Sequence, residues 1–242
     1  MKRQRILVWD IAVRVFHWSL AISFLGAFLT AESERLRDVH VVLGYAMLGL
    51  VAFRLLWGLV GTRYARFRSF AFGPRDVAAY LKSLLALRPK HYLGHNPAGS
   101  WAIWALLALS VLAGATGYAT YNDVGGHWLE ETHEAVANDL VVDRPSGERD
   151  QRREAEERHD RDGPRRVVAG VVLGSLVHRE NLVASMVTGR KAAAPGEGIG
   201  RAWRSVAAIL LTGVLGFWWM QLQGPAPALA SAPAVAHDQK DD

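Results

Sequence analysis

The sequence predicts an all-α fold of the integral membrane kind, a bundle of apolar helices. Three observations lead there. Four stretches, about Ile11–Ala31, Val39–Val60, Trp101–Thr120 and Trp203–Leu222, each hold roughly 20 mostly apolar residues. At 1.5 Å of rise per residue, that length crosses a hydrocarbon core about 30 Å thick. The mean hydropathy of +0.07 is low only because densely charged blocks alternate with these stretches. Finally, Lys and Arg are unevenly shared among the connections, the asymmetry that marks a cytoplasmic side. Buried helices of a soluble core seldom run this long without a polar face.

Composition excludes several chemistries. The 242 residues include no Cys, nine Trp, and 28 Lys+Arg against 23 Asp+Glu. Without Cys there are no disulfides, thiolate metal sites, iron–sulfur clusters or haem attachment through C-x-x-C-H. Any bound metal rests on His, Met or carboxylates. The basic excess follows from membrane topology, so the expected surroundings are membrane lipid and no nucleic-acid partner is implied.

The elements follow in order. The first apolar run comes after "MKRQR" and contains Arg14 and His17. A cleavable signal has an apolar region of only about 7–15 residues, so this run reads as a retained span. The N-terminus carries Lys2, Arg3, Arg5 and Arg14, and residues 62–100 hold Arg63, Arg66, Arg68, Arg75, Lys82, Arg88 and Lys90 against the single acid Asp76. Residues 121–132 hold Asp123, Glu130 and Glu131 with no Lys or Arg. The N-terminus and residues 62–100 are therefore expected inside, and 32–38 and 121–132 outside. Asn96 and Pro97 predict the start of the third span, as an N-cap followed by proline at the first helical position. Trp9, Trp18, Trp57 and Trp101 are expected in the interfacial aromatic belt. Residues 191–202, with "AAAPGEGIG", read as a flexible linker, 203–222 as an additional packing or anchoring span, and 223–242 as a disordered tail.

The histidines pose the functional question. His17 lies two turns inside the first span, and an imidazole at membrane depth is expensive unless it faces a bundle interior or a polar cavity. His40 opens the second span, and His133 begins another helix in "LEETHEAVAN", both at the outer face. Two membrane histidines at one level on neighbouring helices suit the axial positions of a haem b iron, which needs no covalent attachment. Gly44 lies one turn beyond His40 on the same face, where a missing side chain admits a flat ring. Gly26 and Gly49 offer similar clearance or plain helix packing. Arg54 returns to nearly the face of His40 about 21 Å further along the helix. There it either pairs with haem propionates or snorkels to the inner surface. His91 and His95 lie in the basic loop, where the ordinary reading is an interfacial histidine.

The segments "RVFHWSLA", "VHVVLGYAMLGLVAFRLLWGLVG", "RYARFRSF", "YLGHNPAGSW", "WLEETHEAVAN" and "HRENLVASMVTGRK", taken in order, resemble the bacterial cytochrome b561 family and the related b-type cytochrome subunits of nickel-iron hydrogenases. The resemblance covers about residues 6–140 and 167–222. It implies a four-helix core, within 6–190, holding two b haems, one near each face. It implies electron transfer between quinone and a partner, such as a c-type cytochrome or another redox protein, in a bacterial inner membrane with the N-terminus cytoplasmic. By motif, His40 and His133 resemble the axial pair of the outer haem, and His17 the first-helix ligand of the inner one. The implied role is that of an electron carrier more than a catalyst on its own.

The pattern fails where the inner haem needs its second ligand. "HEAVANDLVV" runs into Asp143–Arg166, where 16 of 24 residues are charged, eight of each sign. Such a segment cannot sit in hydrocarbon and has the composition of a disordered linker. The family-like sequence then resumes with Val167 where the resemblance expects His. Three readings stay open: an insertion or compensated frameshift, two half-helices with the charged segment looped out, or an extramembrane module. His159 and His178 are weak substitutes for the missing ligand. The interruption also supports a rival in which the chain is a non-redox or haem-deficient relic of the family. A transporter is disfavoured because no inverted repeat is found.

Overall fold

The structure, a computed structural model, describes residues 4–86, 90–124, 126–141 and 182–223. A short strand β1 (Gln4–Leu7) leads into α1 (Ile11–Thr30). A 3-10 turn (Glu34–Leu36) feeds α2 (Arg37–Val60), and a second (Phe67–Ser69) precedes α3 (Pro74–Leu85). Then come α4 (Pro97–Tyr121), α5 (His127–Val141), α6 (Leu182–Thr188), β2 (Arg190–Ala193) and α7 (Arg204–Gln223). Among the described residues, four helices are long and apolar enough to cross a membrane: α1, α2 with its leading turn, α4 and α7. They match the four expected spans to within a few residues. Their outer faces expose Leu29, Leu56, Leu59, Ile209 and Trp219, which lipid solvates and water would not.

The helix starts have local causes. Asp10 caps α1, its Oδ1 accepting from Val13 N at 2.8 Å. Asn96 caps α4 as expected, accepting from Gly99 N at 2.7 Å, with Pro97 in the first turn. The amphipathic α3 lies in the basic connection, where its 12 residues are too short and too polar to register as a span. α1 packs against α2 and α7, α2 also against α4, and α4 against α5 and α3.

The two ends of the bundle differ. At one end β1 and β2 pair antiparallel, Gln4 opposite Ala193 and Leu7 opposite Arg190. A continuous core of Ile6, Val8, Trp9, Ala12, Val13, Trp57, Tyr64 and Ala207 is packed there. The expectation of a flexible linker at 191–202 is corrected by this end. Besides the strand pairing, Ile199 N donates to Leu7 O at 2.8 Å, Tyr64 Oη donates to Glu197 O at 2.8 Å, and Ile11 N donates to Ala202 O at 3.0 Å. The Gly and Pro residues of this segment make turns that bring its backbone against β1, so its polar groups are spent on the fold. Trp9 and Trp57 also depart from the expected belt. Both are buried, and Trp57 Nε1 donates to Asp10 Oδ2 at 3.2 Å. Trp18 and Trp101 remain on the surface. The expectations for Asp143–Arg166, Val167, His159, His178 and 224–242 fall outside the described residues.

Candidate functional site

At the end away from the sheet, α2, α4 and α5 enclose a cavity of about 300 Å³. His40 in the first turn of α2 and His133 in the second turn of α5 line it together with Gly44, Gly114 and Gly117. Each imidazole is turned by a backbone carbonyl. His40 Nδ1 lies 2.8 Å from Ala27 O, and His133 Nδ1 lies 2.9 Å from Ala113 O. A carbonyl only accepts, so in each ring Nδ1 carries the proton and donates, leaving Nε2 with a free lone pair. A hydrogen-bonded Nδ1 and a free Nε2 is the arrangement of a metal-binding histidine held by its second contact.

The spacing of the rings tests which metal group fits. Two imidazoles binding one metal from opposite sides, with metal–nitrogen bonds of about 2 Å, have centroids roughly 6 Å apart. The His40 and His133 centroids are 6.3 Å apart, with the rings perpendicular at 88°. Two trans imidazoles supply only axial positions, and among the described residues no cluster of three or more His, Asp or Glu forms a metal site. A metal that brings its own equatorial ligands, as in a haem, suits this pair. The glycines agree. A Cβ on Gly44 would meet nothing within 4 Å, so this face is clear toward the cavity. A Cβ on Gly117 would lie 2.8 Å from His133 Cε1, so the His133 ring occupies the space that a side chain would take. Gly117 was missed from sequence. Its signal is the Gly114–Gly117 spacing, which puts a smooth strip on one face of α4.

Gly26 serves packing, since a Cβ there would meet Leu43 Cδ1 at 2.7 Å. Outside the cavity, the N-cap Asp10 was also missed from sequence. It is 0 % exposed and, besides capping α1 and receiving the Trp57 bond, accepts from Thr62 Oγ1 at 2.6 Å. An Asp just before an apolar run was the available signal.

The other predicted residues lie toward the sheet end. His17 is exposed on α1, with its ring edge-on to Trp18 at 5.4 Å, and no second histidine is placed beside it among the described residues. Arg54 is 4 % exposed, which corrects the snorkelling alternative. Its guanidinium lies 4.9 Å from the Phe67 ring centre and 5.7 Å from that of Phe70, and its Nη1 is buried without a hydrogen-bond partner among the described residues. His95 is likewise no interfacial histidine. Its ring lies 4.7 Å from that of Trp9 and 4.5 Å from that of Phe70, with Nδ1 sealed from solvent. Burial foremost, then the Arg54 and Lys191 charges, push its pKa down to about 3, so it is neutral in ordinary conditions.

Residues 8–142, more than half of the 242-residue chain, match the family described as prokaryotic cytochrome b561. The chain belongs to that family. Among curated relatives it is similar to a probable Ni/Fe-hydrogenase B-type cytochrome subunit of Rhizobium leguminosarum bv. viciae, 28% identical over 154 residues, covering 52% of this chain and 64% of the relative. The like-named protein of Azotobacter vinelandii is 29% identical over 149 residues, covering 50% of this chain and 61% of the relative. The probable Ni/Fe-hydrogenase 1 B-type cytochrome subunit of Escherichia coli strain K12 is 27% identical over 143 residues, covering 48% and 60%. The chain thus spans less than two thirds of the length of these relatives. No solved structure matches it. Haem b is the cofactor of this cytochrome b561 family, and the cavity between His40 and His133 fits it.

Proposed function

We propose that this cytochrome b561 family chain is an electron carrier of the bacterial inner membrane, passing electrons between the quinone pool and a redox partner protein. The supporting observation is the His40–His133 pair, with both Nδ1 atoms tied to backbone carbonyls and the rings at metal-spanning distance. When bound, held by His40 and His133, haem b would supply a one-electron couple. The residues do the rest. Ala27 O and Ala113 O fix the tautomers, and Gly44 and Gly117 leave room for a flat ring and for His133. The hydrogenase subunits among the relatives favour a hydrogenase-like partner, with a c-type cytochrome as the other class. His17 and Arg54 are assigned to a second haem position nearer the sheet end, where the partnerless Arg54 Nη1 suits a propionate. The Lys and Arg excess assigns the N-terminus to the cytoplasm.

A pyridine haemochrome spectrum with an iron-to-protein ratio on the purified chain tests the reading. The expected result is haem b with a low-spin, two-histidine spectrum and reduction by a quinol analogue. A second reading, a haem-deficient relic, is favoured only by the charged composition of Asp143–Arg166. A purified chain with no haem and no uptake of added haem would decide for the relic.

A further inference from the structure

We propose that the open rim of the His40–His133 cavity is a carboxylate-binding site, built from Arg37, Thr120 and Tyr45, that receives the haem propionates and fixes which edge of the macrocycle faces outward. The inference rests on the reading of that cavity as a haem site. All three residues line the cavity, and Arg37 precedes His40 by one turn of α2, toward the helix end.

Two buried hydroxyls carry the argument. Thr116 on α4, whose Oγ1 also lies 3.2 Å from His133 Nδ1, spends its hydroxyl proton on its own helix, donating toward Leu112 O at 2.9 Å and Ala113 O at 3.1 Å. Thr30 does the same with Gly26 O at 2.8 Å. Thr120, one turn beyond Thr116, does not, and its Oγ1 is buried on the cavity wall with no hydrogen-bond partner among the described residues. The Tyr45 hydroxyl is also sealed from solvent without a hydrogen bond of good geometry, although Asn122 approaches it. A buried hydroxyl without a partner costs about 1–3 kcal/mol, so Thr120, with the Tyr45 hydroxyl on the same wall, marks a place where an acceptor belongs.

Charge selects the acceptor. The Arg37 guanidinium lies 5.6 Å from the Tyr121 ring centre and forms no ion pair among the described residues. Glu32 and Glu34 line the same rim and repel an anion. Arg37 is therefore the group that decides whether a doubly negative ligand edge is accepted there. Its planar fork can hold a carboxylate through two parallel bonds, which an ammonium cannot reproduce.

The test uses the full chain, stripped of haem in detergent and titrated with haemin or with haemin dimethyl ester, whose propionates are neutral. Wild type is expected to bind the ester about tenfold or more weakly, the worth of a hydrogen bond to a charged group. In Arg37→Gln, haemin binding falls by a similar factor and the penalty for esterification disappears. Thr120→Val and Tyr45→Phe each shrink the penalty part-way, providing a second route should Arg37→Gln alter the helix content. An equal penalty in wild type and Arg37→Gln, or an ester that binds wild type as tightly as haemin, overturns the rim assignment. In both cases a low-spin two-histidine spectrum leaves the haem-site reading standing. A wild-type chain that takes up neither compound overturns both.

Discussion

His133 points into its cavity because Gly117, on the neighbouring helix, has no side chain. Gly117→Ala adds a carbon 2.8 Å from His133 Cε1, while the alanine raises helix propensity by about 1 kcal/mol. The expected outcome is a chain at least as helical by circular dichroism whose low-spin haem signal is weakened or lost. An unchanged signal would show that the ring has room to move. His40→Ala and His133→Ala should each remove the same spectral component, and His91→Ala and His127→Ala should leave it. His127 pairs with Glu130 and Glu131 on the exposed side of α5. His95 yields a pH prediction. Its folded pKa is depressed to about 3, below the ordinary value of 6.5, so the unfolded chain binds the extra proton between those values. Stability is therefore complete above about pH 6.5 and declines as pH falls toward 3, by a few kcal/mol. His95→Phe keeps the contact with Trp9 and Phe70 and removes the proton. The wild-type loss of melting temperature from about pH 7 to 4 should shrink in the variant, and parallel curves would remove His95 as the cause. At this scale the juxtaposition of His40 and His133 was legible, since each stands at the start of a helix and the spans put those starts at one level. Gly117, Arg37 and the burial of His95 were not, because each is decided by how closely another helix approaches.

The helices were legible in sequence because length and apolarity are local properties. The sheet end was not. β1 pairs with a strand about 190 residues away, and neither partner has the length or alternation that announces a strand. Arg14 shows how that end is tied together. From α1 its Nε donates to Met186 O at 3.0 Å and its Nη2 to Val187 O, meeting the last carbonyls of α6. Gly189 then closes the helix at φ 74°, its N donating to Ser185 O at 2.8 Å, a conformation that a side chain would strain. Its carbonyl accepts from Val8 and Trp9, so the end of α6 and the start of α1 are one unit. Arg14→Ala should destabilise the chain by about 1–2 kcal/mol, with Arg14→Lys recovering only part of it. Melting of the helical signal in detergent measures this. Equal stability of Arg14→Ala and wild type would reduce the contact to an incidental one.

For the whole molecule, the decisive number is haems per chain. His40 and His133 are brought together, while His17 stands on α1 without a second histidine among the described residues, and the position expected to supply one is Val167. Between α5 and Val167 come the 16 charged residues of Asp143–Arg166. Each charge costs about 2.5–3.5 kcal/mol at a helix centre even on the gentler insertion scale, far beyond what the flanking apolar residues return. The charge of this segment predicts one tightly held haem b per chain and protease cleavage within 144–166 in vesicles of one orientation. Two stoichiometric low-spin haems, or protection in both orientations, would show that the segment leaves the bundle whole. The constructive test replaces 139–166 with a continuous apolar helix and adds Val167→His. If His17 is a ligand waiting for its partner, the iron-to-protein ratio rises from about one to about two, and a further His17→Ala returns it to one. If the ratio stays at one although the new helix inserts, His17 is an exposed side chain on the face of α1 beside Trp18, and the proposed electron transfer runs through the His40–His133 site alone.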